Sequence, residues 1–393
     1  MKLERFHYNP FRSSREEEGE NPPESLGSPA VPAGFPSSLK AGTIGKTLKR
    51  TLASLLPSPL KSLLKRKRRE LLSYPPIAAL RGRLQLAPSL LCLLKEPPLR
   101  RFKRLHIVLG SACNNRCLMC YQEEFHRRIT PWILTQTLLP LYPRVEEIIL
   151  QGGEPTVLPE SRTLIEVAGK ANPRIRFSLF SNGLALDASW RETLLERGGF
   201  LNLSLNAASR DIYSLVCRNN RWEKVLENLS LLVEERNRRG SPLKVRLSMV
   251  ILPENFREIL PFLELGESLG VNAVQFFFDS HLLPEKRELA DLIEKALLWR
   301  SSHSLPVEGL ENLKALLEER PAPLFPCSWP LDSLFVDVDG TLSFCCLFTK
   351  PLGNLHAASA DRLLSLPKAE RWRAEFLRGN RSKCGLPCRG KSS

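Results

Sequence analysis

Gly110-Ser111-Ala112-Cys113-Asn114-Asn115-Arg116-Cys117-Leu118-Met119-Cys120-Tyr121 places three cysteines at C-x3-C-x2-C spacing. Three thiolates on one tight loop can hold three corners of a cubane [4Fe-4S] cluster, and the missing fourth ligand leaves one iron open to a small molecule. A structural zinc ion would want a fourth protein ligand, for which His126, six residues on, is the neighbouring candidate. A second stretch, Gln151-Gly152-Gly153-Glu154-Pro155, by itself reads as an ordinary strand-to-helix turn. Half of the ten cysteines fall in the last 67 residues, at Cys327, Cys345, Cys346, Cys384 and Cys388. A small segment poor in regular core and dense in cysteine usually needs a metal to fold.

These stretches need a scaffold, and the pattern of apolar runs supplies one. Runs suited to buried parallel strands recur at Leu105 to Leu109, Val145 to Leu150, Ile175 to Phe180, Phe200 to Leu205, Val245 to Leu252 and Val271 to Phe278. Between them lie helix-length segments at Pro131 to Leu141, Pro159 to Lys170, Ala188 to Arg197, Trp222 to Arg239 and Phe256 to Leu269, with Glu285 to Arg300 after the last. Repeated β-then-α units predict an α/β fold with a parallel sheet and helices outside it, as an open sheet or as a partial or full barrel. In each case ligands collect at the carboxyl ends of the strands, which is where Cys113 and Gly152 follow the first and second runs.

Composition bounds the rest. A chain of 393 residues, 42% hydrophobic and 25% charged, suits one large or two modest globular domains. The longest charge-free apolar stretch, Ile129 to Pro143, has 15 residues and contains prolines, too short to span a bilayer. Met1 to Pro10 is charged and lacks the apolar core of a signal peptide. Together these predict a cytoplasmic protein, whose cysteines read as metal ligands or reactive thiols and not as a disulfide framework. The net charge of +15 is unevenly spread: residues 1–104 hold 21 Lys and Arg against 8 Asp and Glu, while the remainder is nearly balanced. Residues 1–40, rich in Pro, Ser, Gly and Glu, read as disordered, and residues 41–98 as short amphipathic basic helices around Lys65 to Arg69. Such an arm suits an anionic partner, and equally a merely solvated extension.

The cysteine triad followed in order by Gly152-Gly153-Glu154-Pro155, each at the end of adjacent strands, resembles the radical S-adenosylmethionine superfamily over residues 100–390 or so. The resemblance implies a partial (β/α)6 TIM-type barrel. It implies that Cys113, Cys117 and Cys120 hold a [4Fe-4S] cluster whose open iron is chelated by the methionine moiety of S-adenosylmethionine. Met119 matches the position beside adenine, usually aromatic in the family. Gly152, Gly153, Glu154 and Pro155 match the motif that receives the methionine ammonium, a cation that needs carbonyl or carboxylate partners when buried. Ser181-Asn182-Gly183 matches a polar turn; Ser204 and Asn206 match a ribose or carboxylate contact, and Arg218 a residue on the methionine carboxylate.

Cys327-Ser328-Trp329-Pro330, Val336-Asp337-Val338-Asp339-Gly340 with Cys345 five residues on, Gly353-Asn354-Leu355, and Cys384-x3-Cys388 resemble the SPASM module or its shortened twitch form. That implies one auxiliary [4Fe-4S] cluster on Cys327, Cys345, Cys384 and Cys388, with Cys346 as an alternative to Cys345. Cys92 and Cys217 read as packed thiols, and Asp279 as a candidate acid or base, more simply a cap. The expected organisation is a basic extension over 1–98, a barrel over 99–320 and an auxiliary-cluster module over 321–393. The implied enzyme takes electrons from a reduced donor such as flavodoxin or ferredoxin, generates a 5′-deoxyadenosyl radical and acts on a peptide, protein or small molecule. The competing expectation is a zinc-stabilised nucleic-acid-binding protein.

Overall fold

A computed structural model describes residues 101–122, 124–278, 282–319, 327–348, 350–380 and 382–384. The basic extension, Cys92, Asp279 and Cys388 lie outside the described residues.

The strands are β1 (Phe102–Val108), β2 (Val145–Gln151), β3 (Arg176–Ser181), β4 (Gly198–Ser204), β5 (Lys244–Ile251), β6 (Ala273–Phe278), β7 (Val307–Glu308), β8 (Ser333–Val336), β9 (Thr341–Ser343) and β10 (Gly353–Asn354). They form one sheet in the order β10-β9-β8-β1-β2-β3-β4-β5-β6-β7. From β8 through β7 every pairing is parallel, while β9 and β10 are antiparallel. The order has two free ends and does not close, so the barrel is partial. The six predicted strands are present within a few residues. The short β7 extends one edge, and β8 from the cysteine-rich end extends the other by pairing Arg104 to Ile107 with Ser333 to Val336.

Helices α1 (Pro159–Ala171), α2 (Ala188–Arg197), α3 (Arg210–Cys217), α4 (Trp222–Arg239), α5 (Ile259–Ser268), α6 (Lys286–Ser302) and α7 (Leu310–Leu317) belong to the barrel. Then α8 (Trp329–Asp332), α9 (Ala360–Leu364) and α10 (Pro367–Leu377) surround β8 to β10. Their ends follow local chemistry: Asp187 accepts the Trp190 N–H at the start of α2, and Gly240 takes the left-handed φ of 62° that ends α4. None of the helices formed by described residues is long and apolar enough to cross a membrane.

The first connection departs from expectation. Residues 131–141 do not form a regular helix; Ile133–Thr137 makes a single π turn before the chain breaks off. Two threonine residues and the flanking Pro140 and Pro143 disfavour continuation. The Tyr142 hydroxyl takes the Leu134 carbonyl at 2.7 Å, diverting it from a helical bond.

The sheet's alternation separates two faces. Leu105, Ile107, Phe177, Leu179, Leu201, Leu203, Val245 and Leu247 join the main apolar core under the helices. The opposite, concave face carries the intervening residues, many of them polar. Across it Asn202 donates to the Ser248 hydroxyl at 2.8 Å and Arg246 to Gln275 at 2.9 Å. His106 of β1 lies there among the rings of Phe180, Phe335 and Trp329, at 6.1, 5.2 and 6.1 Å between centroids.

Candidate active site

Two loops meet at the carboxyl ends of β1 and β2. The Gly153 N–H donates to the Gly110 carbonyl at 2.8 Å and the Glu154 N–H to the Ala112 carbonyl at 2.9 Å. This backbone-to-backbone seating explains the paired glycines. A Cβ on Gly153 would fall inside contact distance of the Ser111 and Ala112 carbonyl oxygens. Gly152, at φ +153°, would drive one into the Gly110 carbonyl. The motif therefore serves as a bearing surface for the cysteine loop.

Cys113, Cys117 and Cys120 are half-buried free thiols on that loop. Burial pushes the Cys113 thiol up to about 11 and raises Cys120 as well, and each is raised further by its cysteine neighbours. Cys117 is held below its ordinary value, chiefly by its bond with Cys217. Among the described residues no three His, Cys, Asp or Glu side chains stand close enough together to hold a metal ion as they lie. Three thiols on a partly dry loop, two of them penalised for ionising alone and the third already favoured as thiolate, fit a polynuclear iron centre that would deprotonate and gather them. His126 is a poor fourth ligand: its exposed side chain lies 4.0 Å from Glu124.

Glu154 sits at the centre of the constellation and is 1% exposed. Its Oε1 accepts the Thr156 N–H (3.0 Å), the Thr156 hydroxyl (2.6 Å) and the Ser181 hydroxyl (2.8 Å). Its Oε2 accepts the Asn182 N–H at 2.6 Å. Burial raises the carboxyl even against these donors. A carboxylate offers about four lone-pair sites; three donors meet Oε1 and one meets Oε2, so Oε2 retains capacity for a further donor. The Asn182 side chain continues the chain of contacts to the Asn114 side chain at 2.6 Å and the Cys113 sulfur at 3.7 Å.

The remaining predicted residues fall into two groups. Met119 is half-buried on the cysteine loop, and Pro155 opens the turn leading to α1. Ser204 is half-buried at the end of β4 on the concave face. Asn206 is occupied otherwise: at φ 64° its Oδ1 accepts the Val250 N–H (2.9 Å) and its carbonyl accepts Asn255 (2.8 Å), clasping β4 to β5. Arg218 is exposed at the left-handed end of α3, close enough to favour the Cys117 thiolate.

Several participants carry no motif. Leu118 donates to the Val216 carbonyl at 2.9 Å and Asn219 to the Asn115 side chain at 2.8 Å, tying the end of α3 to the cysteine loop. Cys217 lies against Cys117, a separation of 100 residues in the chain that spacing could not reveal. Asn115 is buried and Asn219 half-buried, and their contact exists only in the fold.

In the C-terminal segment, Cys327 and Cys345 are half-buried, and Cys384 is 5% exposed in a bridge with Phe348. Cys345 packs with the main core, whereas Cys346 packs on Val108, Phe335 and Val338. The two neighbours thus face different apolar clusters, and Cys345 is the one that shares its cluster with Cys327 and Cys384.

Comparison with known proteins gives a concordant picture. Residues 107–266 match the model of the radical SAM superfamily, and residues 327–389 that of the iron–sulfur cluster-binding domain called SPASM. A "Probable GTP 3′,8-cyclase" of Saccharolobus solfataricus is 25% identical over 271 residues, covering 63% of this chain and 83% of that protein. "Molybdenum cofactor biosynthesis protein 1" of Dictyostelium discoideum is 28% identical over 207 residues, covering 48% of this chain and only 32% of the longer relative. Among solved structures, anSMEcpe with bound AdoMet aligns at TM-score 0.53 and 17% identity, covering 70% of this chain and 79% of its own. Streptococcus suis SuiB bound to its precursor peptide SuiA aligns at TM-score 0.55 and 14% identity, covering 74% and 71%. These structures share the fold. No match supports a zinc-stabilised nucleic-acid binder.

Proposed function

Because the chain belongs to the radical SAM superfamily and carries a SPASM domain, and is therefore an enzyme whose cofactors are S-adenosylmethionine and iron–sulfur clusters, we propose that it abstracts a hydrogen atom from a polar small-molecule substrate. The bound cluster and S-adenosylmethionine supply an electron and a 5′-deoxyadenosyl radical, chemistry that no side chain can provide.

The protein's own residues then have defined tasks. Cys113, Cys117 and Cys120 hold the open cluster. Gly152, Gly153 and Pro155 shape the turn at the methionine end, and Glu154 offers the methionine ammonium its remaining Oε2 site. Met119 lies on the adenine side, Ser204 on the ribose side, and Arg218 serves the carboxylate. Asn206 contributes by holding the β4 terminus in place. Cys327, Cys345, Cys384 and Cys388 hold one auxiliary [4Fe-4S] cluster.

The observation that carries this reading is the seating of Gly153 and Glu154 on the backbone of Gly110 and Ala112, which joins the two motifs into one site. A small substrate is favoured by the relatives named GTP 3′,8-cyclase.

Anaerobic purification followed by treatment with dithionite and S-adenosylmethionine tests the reading. Brown protein releasing 5′-deoxyadenosine is expected, with the product lost in Cys113→Ala, Cys117→Ala and Cys120→Ala variants. Colourless protein with stoichiometric zinc, or wild-type yield from any of the three variants, overturns it.

A further inference from the structure

Helix α10 turns Ala369, Trp372, Arg373 and Phe376 inward, so an arginine occupies a helical stripe that is otherwise apolar. Arg373 is 4% exposed, and arginine is almost never buried unless its charge is answered. Its Nε donates to the Pro330 carbonyl at 3.2 Å, its Nη1 to Glu370 at 2.9 Å, and its guanidinium lies 4.6 Å from the centre of the Phe344 ring. The Glu370 side chain is 69% exposed, so its carboxylate, standing largely in water, answers the buried cation only weakly. Two other buried arginines, Arg144 and Arg236, meet oxygen acceptors alone. What distinguishes Arg373 is its surroundings.

Those surroundings are the segments that carry the C-terminal cysteines. Pro330, in α8, follows Cys327 by three residues, and Phe344 directly precedes Cys345. The Phe344 ring stands 5.3 Å from that of Phe348, whose N–H donates to the Cys345 carbonyl at 3.2 Å and whose backbone bridges to Cys384. Two residues along α10 from Arg373, Glu375 pairs with Lys383, the neighbour of Cys384 in the chain. Helix α10 thus reaches the segments of Cys327, Cys345 and Cys384 alike. Arg373 brings among them a positive charge that water screens little.

We infer that Arg373 is the fixed counter-charge of the auxiliary cluster and holds its reduction potential up. This rests on the reading that Cys327, Cys345, Cys384 and Cys388 hold that cluster. Four thiolates make a [4Fe-4S] centre anionic, and an added electron makes it more so. A cation fixed nearby therefore stabilises the reduced form more than the oxidised one, and net charge and solvent exposure are among the properties that set such potentials. The step concerned is the gain of one electron by the cluster from a one-electron donor, which is oxidised by one; no bond forms or breaks. Arg373 acts through its field, giving and taking neither electron nor proton.

The test uses the full chain, reconstituted anaerobically and taken through a redox titration followed by electron paramagnetic resonance. Adding S-adenosylmethionine changes the signal of the open cluster and not that of the auxiliary one, which tells them apart. Arg373→Met should lower the auxiliary midpoint until the reduced-to-oxidised ratio at a fixed potential falls at least about tenfold, about 59 mV for one electron. The open cluster's midpoint should stay where it is. Arg373→Lys, which keeps the charge, should recover at least about half of the shift. Glu370→Gln removes the exposed carboxylate and should move the auxiliary midpoint upward; as a surface change it carries the test if Arg373→Met does not load its cluster. A merely structural role for Arg373 would leave the midpoint of a loaded cluster unmoved. An unmoved auxiliary midpoint in Arg373→Met or, where that variant does not load, in Glu370→Gln, overturns the inference, as do equal shifts of both clusters. The iron content of the wild type separates the two readings: about four irons per chain refutes the auxiliary cluster itself, whereas about eight with an unmoved midpoint refutes the role of Arg373 alone.

Discussion

The Oε2 atom of Glu154 accepts the backbone N–H of Asn182 at 2.6 Å, so the residue that closes the second strand's turn also holds the turn ending the third. Asn182 in turn reaches Asn114 and Cys113. One buried carboxylate therefore links three strand ends around the cysteine loop, besides whatever it offers a ligand.

Glu154→Gln should separate these roles. An amide keeps one acceptor oxygen but places an NH2 group on the other side, and with Oε1 serving three donors the NH2 faces the Asn182 N–H. Losing this charge-assisted bond and adding a donor–donor conflict should cost about 1.5 to 3 kcal/mol. Both S-adenosylmethionine affinity and thermal stability should fall while iron content stays near normal. Unchanged stability with reduced affinity would show that the Asn182 contact is dispensable.

Gly153→Ala should impair cluster loading without touching a thiol. The added methyl group cannot fit against the Ser111 and Ala112 carbonyls unless the two loops part; overpacking of this kind costs about 1 to 3 kcal/mol. Iron content after anaerobic reconstitution should drop to less than half of wild type. Full loading would mean that the seating is not what positions the cysteine loop.

His106 should impose an acid sensitivity. Burial lowers its imidazole from 6.5 to about 4, opposed only by the side chain of Gln151, which makes no well-formed hydrogen bond to either ring nitrogen. Between those values the unfolded chain binds a proton that the folded one refuses, so the native state loses stability as pH falls from about 6.5 toward 4, by up to about 1.4 kcal/mol per pH unit. Denaturant midpoints from pH 7.5 to 5 should fall more steeply for wild type than for His106→Phe. Parallel slopes would show that the imidazole is not held neutral.

The auxiliary module is tested by counting iron. If Cys327, Cys345, Cys384 and Cys388 hold one cubane, the intact chain should contain about eight irons and a Cys384→Ala, Cys388→Ala variant about four. Cys346→Ala, altering a side chain packed on Val108 and Phe335, should keep all of them. About four irons with one zinc in the intact protein would refute the auxiliary cluster alone.

The amino-acid sequence by itself determined the strand positions, because buried parallel strands are written as contiguous apolar runs, and α2 and α4, because amphipathic spacing and end signals agree there. It also placed both chemical motifs at neighbouring strand ends, since chain order and strand order coincide from β1 to β6. Only the tertiary structure decided the rest. Glu154 reads in sequence as a ligand contact, but two of its four donors, Ser181 and Asn182, come from the end of another strand, 27 and 28 residues away. Asn206 resembles a cofactor contact, yet β5 claims its side chain 44 residues on. Cys345 and Cys346 are indistinguishable by spacing until β8 joins the edge of β1 and gives each a different neighbourhood. Local pattern records burial along one segment; which groups satisfy one another across segments is fixed by packing, where each buried polar atom must find its partner in space.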